Sequence, residues 1–458
     1  MVFTSISTST CARHDRVTAP LVAFLLVGLL GCGSGGDDGD FPCSAQEGKA
    51  DLLDIMEDVY LWNDEPDQAS KYSLDLRTYT DEYDLLDFLR YRPETFDRGF
   101  SYITTTSDDE QFFGEGEYPG FGFFLSDLDQ GEIFITEVIP DSPAETQGMQ
   151  RGDQILAIGD TTIDSMTEIE DIFFALGPAQ LGVARSFDLE APNGDLRTVN
   201  LTTEVIVIDP LPFTDVFDVN GDMVGYMLFH TFIGPAVADL RQVFAVFKAM
   251  GVSRLIVDLR YNGGGLLDVA ATFNDLLGGP SREDMVQFRL TFNSKYSDSD
   301  EDILFVHETD SIDLDQIVFI TTGNSASASE LIINSLLAYT EIDVQIVGGQ
   351  TFGKPVGQVP FGFCDGALLL RAVAFRVANK LGQGDYFDGL APDCQADDDL
   401  STALGDPMET SLAAALTLIE TDMCPVTVTA ARAAPSATKL PDVSARGTTP
   451  WRREARVY

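Results

Sequence analysis

Apolar residues in "GKADLLDIMEDVYLW" recur at helical spacing and put Leu52, Leu53, Ile55, Met56, Val59 and Tyr60 on one face. "YTDEYDLLDFLRYR" repeats the pattern, so residues 44–112 are expected to form a helical N-terminal region. The period then changes. "IFITEVI" alternates as a half-buried strand does, "SPAETQG" reads as a Ser-Pro helix entry closed at Gly148, and "RGDQILAIGD" is a turn, a strand and a second turn. Residues 115–206 therefore stand apart as a strand-rich unit. From residue 213 to 424 strands and helices alternate. "DMVGYMLFHTF", "SRLIVDLR" and "QIVFITTG" read as apolar strands, and "AVADLRQVFAVFKAMG" and "LLDVAATFNDLLGG" as helices. Strands without a polar face are buried on both sides, which predicts an α/β core on a largely parallel sheet.

The chain ends read differently. Arg13, His14 and Arg16 precede the apolar run "APLVAFLLVGLL", Ala19 to Leu30. Its twelve residues are too few for a permanent membrane span and suit the core of a signal peptide, residues 1–31. The run ends in "LLGC", which resembles the bacterial lipobox. That resemblance implies lipid on Cys32, a tether over residues 32–43 and attachment to a membrane of the bacterial cell envelope. Gly33 follows the cysteine where Asp would favour the inner membrane, so the expected site is the outer membrane, facing the periplasm. Residues 425–458, rich in Ala, Pro, Thr and Arg without period, are expected to be a disordered tail.

Charge narrows the partners. With 28 basic and 74 acidic residues the net charge is −46, which argues against nucleic acid, whose phosphates need a basic face. The acidity reads as a solvated surface. The acidic insertion "SDSDED" lacks the glycine and terminal glutamate of a calcium loop. Once Cys11 leaves with the signal and Cys32 carries lipid, Cys43, Cys364, Cys394 and Cys424 remain, an even number suited to an oxidising compartment. Of the three pairings, Cys364–Cys394 is expected as a local clip and Cys43–Cys424 as a tie between chain ends. No pair has zinc-ligand spacing.

Candidate chemistry centres on "TTGNSASASELIINSL", Thr321 to Leu336, where a β-branched strand runs into a serine-rich helix start. A nucleophilic serine needs a base, and the chain has three histidines. His14 lies in the signal segment, His307 beside the acidic insertion and His230 inside a strand, where packing is the more common role. Lys354, one of seven lysines, sits in "TFGKPVGQ" between Phe352 and Pro355. Burial strips water from an ammonium and favours the neutral amine, which can act as a base.

"SASASE", "TFGKPVGQ" 27 residues after Ser327, and "DLRYNGGG" upstream together resemble the carboxyl-terminal processing (tail-specific) serine peptidases. "GFGF", Gly120 to Phe123, with "GEIFITEVIPDSPAETQGMQRGDQILAIGD", resembles a PDZ domain. The resemblance implies a ClpP/crotonase-like α/β peptidase core over 213–424, preceded by a PDZ domain over 115–206 and a helical N-terminal cap. It assigns Ser327 as nucleophile, Lys354 as general base and Gln358 as the residue orienting the lysine. Ser325 and Ser329 become neighbours that cap or pack. Ala328 at the helix start and Gly264 in the glycine run would supply oxyanion N–H donors. Gly120, Phe121, Gly122 and Phe123 would bind the substrate's C-terminal carboxylate through freed backbone N–H groups. His230 would contact substrate. The implied partners are polypeptides with accessible C-termini, and no cofactor is implied. Two other readings stay open: a non-catalytic PDZ lipoprotein that captures protein tails, and a crotonase-like acyl-thioester enzyme.

Overall fold

The core strand Arg254–Asp258 shows how the pattern becomes architecture. Leu255 and Val257 point into one apolar layer with Leu240, Phe244 and Phe273. Ile256 points the other way, toward Leu412, Leu418 and Ile419. Alternation with both faces apolar demands cover on both faces, and helices supply it. Ala236–Met250, Leu267–Gly278 and Ala328–Leu337 share the first layer, and Thr410–Thr421 covers the second. The computed structural model describes residues 43–126, 131–167 and 169–425. The signal segment, Cys32, nearly all of the tether and the tail beyond Pro425 lie outside the described residues. Among the described residues no helix is long and apolar enough to cross a membrane.

The central sheet runs in the order Phe213–Val219, Asp222–Leu228, Arg254–Asp258, Gln316–Thr321, Asp343–Gly348, Cys394–Gln395. The first pair is antiparallel and the rest are parallel. A second, antiparallel sheet was not expected. In it Leu368–Asn379 pairs with Val356–Phe363, Tyr102–Thr105 and Val286–Phe292. The acidic stretch 297–302 belongs to a hairpin of that sheet, with Glu301–Leu304 paired to Val286–Phe292.

The N-terminal region is helical where expected. Ala45–Val59 starts at a capping box in which Ser44 N–H donates to the Glu47 carboxylate at 3.0 Å and Glu47 N–H to Ser44 Oγ at 3.3 Å. Its Leu52 and Met56, with Tyr60 beyond, are fully buried, while Leu53, Ile55 and Val59 pack at the margin. This core is shared with Val356, Leu370, Ala372 and Val373 of the second sheet. The region is therefore the back wall of the strand that follows Lys354, not a detached cap. The PDZ unit has its own core around Phe121, Phe123, Ile155 and Phe187. It is built on the sheet Thr161–Thr162, Gln154–Ile158, Ala184–Glu190, Leu196–Thr202.

The disulfides differ from the expected pairing. Cys43 joins Cys364, with Cα atoms 5.0 Å apart, and Cys394 joins Cys424 at 5.3 Å. The reason is topological. Cys364 lies in the turn between Val356–Phe363 and Leu368–Asn379, against the first N-terminal helix. Cys394 lies on the far edge of the central sheet, next to the end of Thr410–Thr421. Thirty residues of sequence separate two cysteines that belong to different sheets.

Candidate active site

Three serines in one turn have three different environments. Ser325 is buried and donates to the Leu259 carbonyl at 2.7 Å. Ser329 is buried and donates to the Asn262 carbonyl at 2.9 Å, not to a helix terminus. Both tie the turn to the loop after Arg254–Asp258. Ser327 alone of the three lines the cleft, at φ 55° and ψ −111°, as the cap of Ala328–Leu337. A non-glycine residue held in such a backbone conformation costs about 1–3 kcal/mol and persists only where its surroundings enforce it.

The enforcing residue is Glu330, which the sequence reading did not single out. It is fully buried. One carboxylate oxygen accepts from Ser327 N–H at 2.9 Å and Lys354 N–H at 2.8 Å. The other accepts from Thr351 Oγ1 and Gly353 N–H, both at 2.6 Å. Burial pushes this carboxyl above its usual range, against the pull of its four donors. One side chain thus fixes the backbone of Ser327 to that of Lys354. The signal was present in the sequence, because Ser327-x-x-Glu330 is a capping-box spacing.

Lys354 is 3% exposed. Its Nζ donates to Gln358 Oε1 at 3.2 Å and stands 5.3 Å from the centre of the Phe100 ring. Ser327, Ala328, Lys354 and Gln358 line one cleft of about 250 Å³, with Leu266, Leu331, Val356 and Phe375 as its apolar walls. Gly265 lines it as well.

In the glycine loop the expected donor already has a partner. The Gly264 N–H donates to Asn262 Oδ1 at 2.9 Å, so it is committed within its own loop. What Gly264 supplies is clearance. At φ 107°, a Cβ there would lie 2.9 Å from Ala328 N and from Ser327 Cβ. Gly265, the next residue, is at φ 143° and lies in the cleft wall. Beneath the loop, fully buried Arg260 pairs with Asp258, Asp398 and Glu409 at 2.7–3.0 Å. Arg151 of the PDZ unit joins the same cluster through Asp398 at 2.8 Å. Burial alone would raise the Asp398 carboxyl, but Arg151 and Arg260 hold it below its usual range.

With this geometry in view, the likeness to known proteins is specific. Residues 223–396 match the model of peptidase family S41, and residues 134–179 match a PDZ domain. Over residues 223–396 the chain is thus similar to peptidase family S41. The chain is 29% identical over 263 residues to the carboxyl-terminal-processing protease of Picosynechococcus, covering 57% of this chain and 60% of that one. It is 27% identical over 282 residues to the chloroplastic C-terminal processing peptidase of Tetradesmus obliquus, covering 58% and 57%. This chain thus spans less than two thirds of the length of these curated relatives. A crystal structure assigned as an S41 protease from Bacteroides fragilis superposes with a TM-score of 0.63 at 26% identity, covering 81% of this chain and 97% of that one.

Two expected site elements lie away from the cleft. Phe121 and Phe123 are buried in the PDZ core, their rings 6.2 Å apart and edge-on to Phe187. Gly122, at φ 89°, abuts Ser142, whose Cβ would lie 2.1 Å from an added side chain. Gly120 pairs with Glu204 in a two-stranded ribbon. A ligand at this turn would meet backbone, not these rings.

His230 is not in the cleft either. Its Nε2 is 2.8 Å from Glu137 of the PDZ unit, its Nδ1 is 3.1 Å from the Asp209 carbonyl, and its ring packs on Phe124. Burial pushes its pKa down, but the Glu137 carboxylate outweighs burial and holds it above the usual value. The sign follows. The folded pKa is raised, so the stabilisation is complete below the unfolded value of about 6.5 and is lost as pH climbs through the folded value. Wild type should exceed His230→Gln most in thermal midpoint near pH 5.5, with the gap closing as pH rises. A gap that widens above neutrality would reject this pairing. His307 is exposed, 3.9 Å from Glu283.

Proposed function

We propose that this protein is an exported, lipid-anchored serine endopeptidase that engages protein C-terminal tails through its PDZ domain and cleaves them by Ser-Lys acyl transfer. The observation that carries the reading is the single cleft holding Ser327, at the start of a helix, and Lys354, whose Nζ is held by Gln358. In this reading Ser327 Oγ attacks the scissile carbonyl carbon while its proton passes to Lys354 Nζ. The C–N bond then breaks, and the lysine returns the proton to the departing amine. Water, deprotonated in turn by Lys354, hydrolyses the acyl-serine and frees Ser327. The Ala328 N–H, at a helix N-terminus, and the Gly265 N–H stabilise the oxyanion. The apolar cleft walls favour an apolar residue before the cut. Lipidation at Cys32 would place the enzyme in the cell envelope, on the outer membrane facing the periplasm.

A fluorophosphonate probe and a pair of peptides test this directly. The protein should label at Ser327 and cleave a peptide with a free C-terminal carboxylate faster than its amidated twin. Capture of the free-tail peptide without labelling or cleavage would instead identify a tail-binding lipoprotein.

A further inference from the structure

The loop that carries Lys354 has no sheet partner of its own over residues 351–355. Backbone bonds tie it from Thr351 N–H to the Leu390 carbonyl, from Phe352 N–H to the Ser325 carbonyl and from Val377 N–H to the Pro355 carbonyl. Between these ties, side chains hold the peptide groups of Gly353 and Lys354 from two sides. Glu330 takes the N–H groups of Gly353 and Lys354. The carbonyl groups of Phe352 and Gly353 are taken by Arg98, whose Nη2 donates to both, the first at 3.1 Å, across 254 and 255 residues of sequence. Gly353 sits at φ 94° with the Phe387 carbonyl 2.3 Å from where a Cβ would be, so the loop has little freedom to find another path. An anion and a cation therefore grip opposite faces of the peptide groups that lead into the base.

Arg98 is itself held in place. Its guanidinium lies 4.7 Å from the centre of the Phe352 ring and 5.3 Å from that of Phe100. It projects from a tight turn in which buried Asp97 accepts from Tyr60 Oη at 2.7 Å and Ser101 N–H at 2.9 Å. The same turn reaches the dyad a second way. The Phe100 carbonyl accepts from Gln358 Nε2, and a carbonyl can only accept. That bond fixes which end of the Gln358 amide is which, and so turns Oε1 toward Lys354 Nζ.

We propose that Arg98 is a positioning residue for the general base: with the Phe100 carbonyl, it makes the turn of the N-terminal region the template on which Lys354 and Gln358 are aligned. The proposal rests on the Ser327–Lys354 reading and adds to it a part of the machinery drawn from outside the S41 match, which begins at residue 223. Displacing a reacting group by about 1 Å costs on the order of 100-fold in rate. Substrate binding is a separate matter, since Arg98 does not line the cleft.

The test compares Arg98→Met, which keeps the stem between the two rings and removes every donor, with Arg98→Lys, which keeps a charge but not the fork. Rates are taken on a fluorogenic peptide at a temperature where each variant is folded. Arg98→Met should lower kcat about 10- to 100-fold with KM unchanged, and Arg98→Lys should fall between it and wild type. A kcat within threefold of wild type in Arg98→Met, or a loss confined to KM, overturns the proposal. If Arg98→Met does not fold, a wild-type kcat in Arg98→Lys overturns it alone. Lys354→Met is measured alongside. Activity there sinks the dyad, whereas an inert Lys354→Met beside an unimpaired Arg98→Met sinks only the role of Arg98.

Discussion

Ser327→Ala and Lys354→Ala should each lower kcat by about 10⁴-fold or more while leaving the fold intact, because members of a nucleophile–base pair act as a unit. Ser327→Ala removes one cleft-facing hydroxyl, and the backbone bond from Ser327 N–H to Glu330 survives the change. Lys354→Ala removes the amine but likewise keeps its N–H bond to Glu330. Gln358, which also lines the cleft, then loses the lysine's donation at Oε1, and water can replace it there. Peptide hydrolysis and a thermal melt on the same samples separate chemistry from folding. His230→Gln belongs in the same series. Both its ring nitrogens are engaged at the PDZ–core contact, so it should retain most of the activity. A series in which Lys354→Ala hydrolyses peptide and His230→Gln does not would reject the dyad.

What could be read before folding was what is written locally. The strand "RLIVD" declares two-sided burial through its apolar run, and the PDZ and peptidase stretches carry their glycines where backbones must pass closely. Ser327 stands out among three serines by motif, and its neighbours on either side are spent on the carbonyls of Leu259 and Asn262. What escaped notice depends on residues far apart in the chain. Nothing near Arg98 announces that it will meet Gly353, and nothing near Cys43 favours Cys364 over Cys424. His230 looked like a strand residue near a cleft. Its partner, Glu137, comes from another domain. That the Gly264 N–H is already engaged is subtler, since it turns on one bond, to Asn262 Oδ1, within the loop.

Glu330→Ala should be the most damaging substitution outside the dyad. It leaves the N–H groups of Ser327, Gly353 and Lys354 and the hydroxyl of Thr351 without their acceptor, in a site where the carboxylate was fully buried. Each buried donor left unsatisfied costs about 1–3 kcal/mol, so the loss of stability should reach several kcal/mol even where water enters the gap. Activity should fall further than stability explains. Ser327 holds a left-handed backbone and Gly353 another, and one carboxylate keeps both in register. Relaxation of either moves Ser327 relative to Lys354. Glu330→Gln sharpens the argument because it is nearly isosteric. An amide offers one acceptor oxygen and one donor nitrogen, so one end of the site, with two donors, then faces a third donor. The amide can serve Ser327 and Lys354 or Thr351 and Gly353, but not both pairs. Its kcat should drop about 100-fold or more, with a smaller loss of stability than Glu330→Ala, as read from urea unfolding beside peptide hydrolysis. Near-wild-type turnover in a folded Glu330→Gln variant would mean that the two loops are aligned by other contacts and that the shared carboxylate only caps a helix.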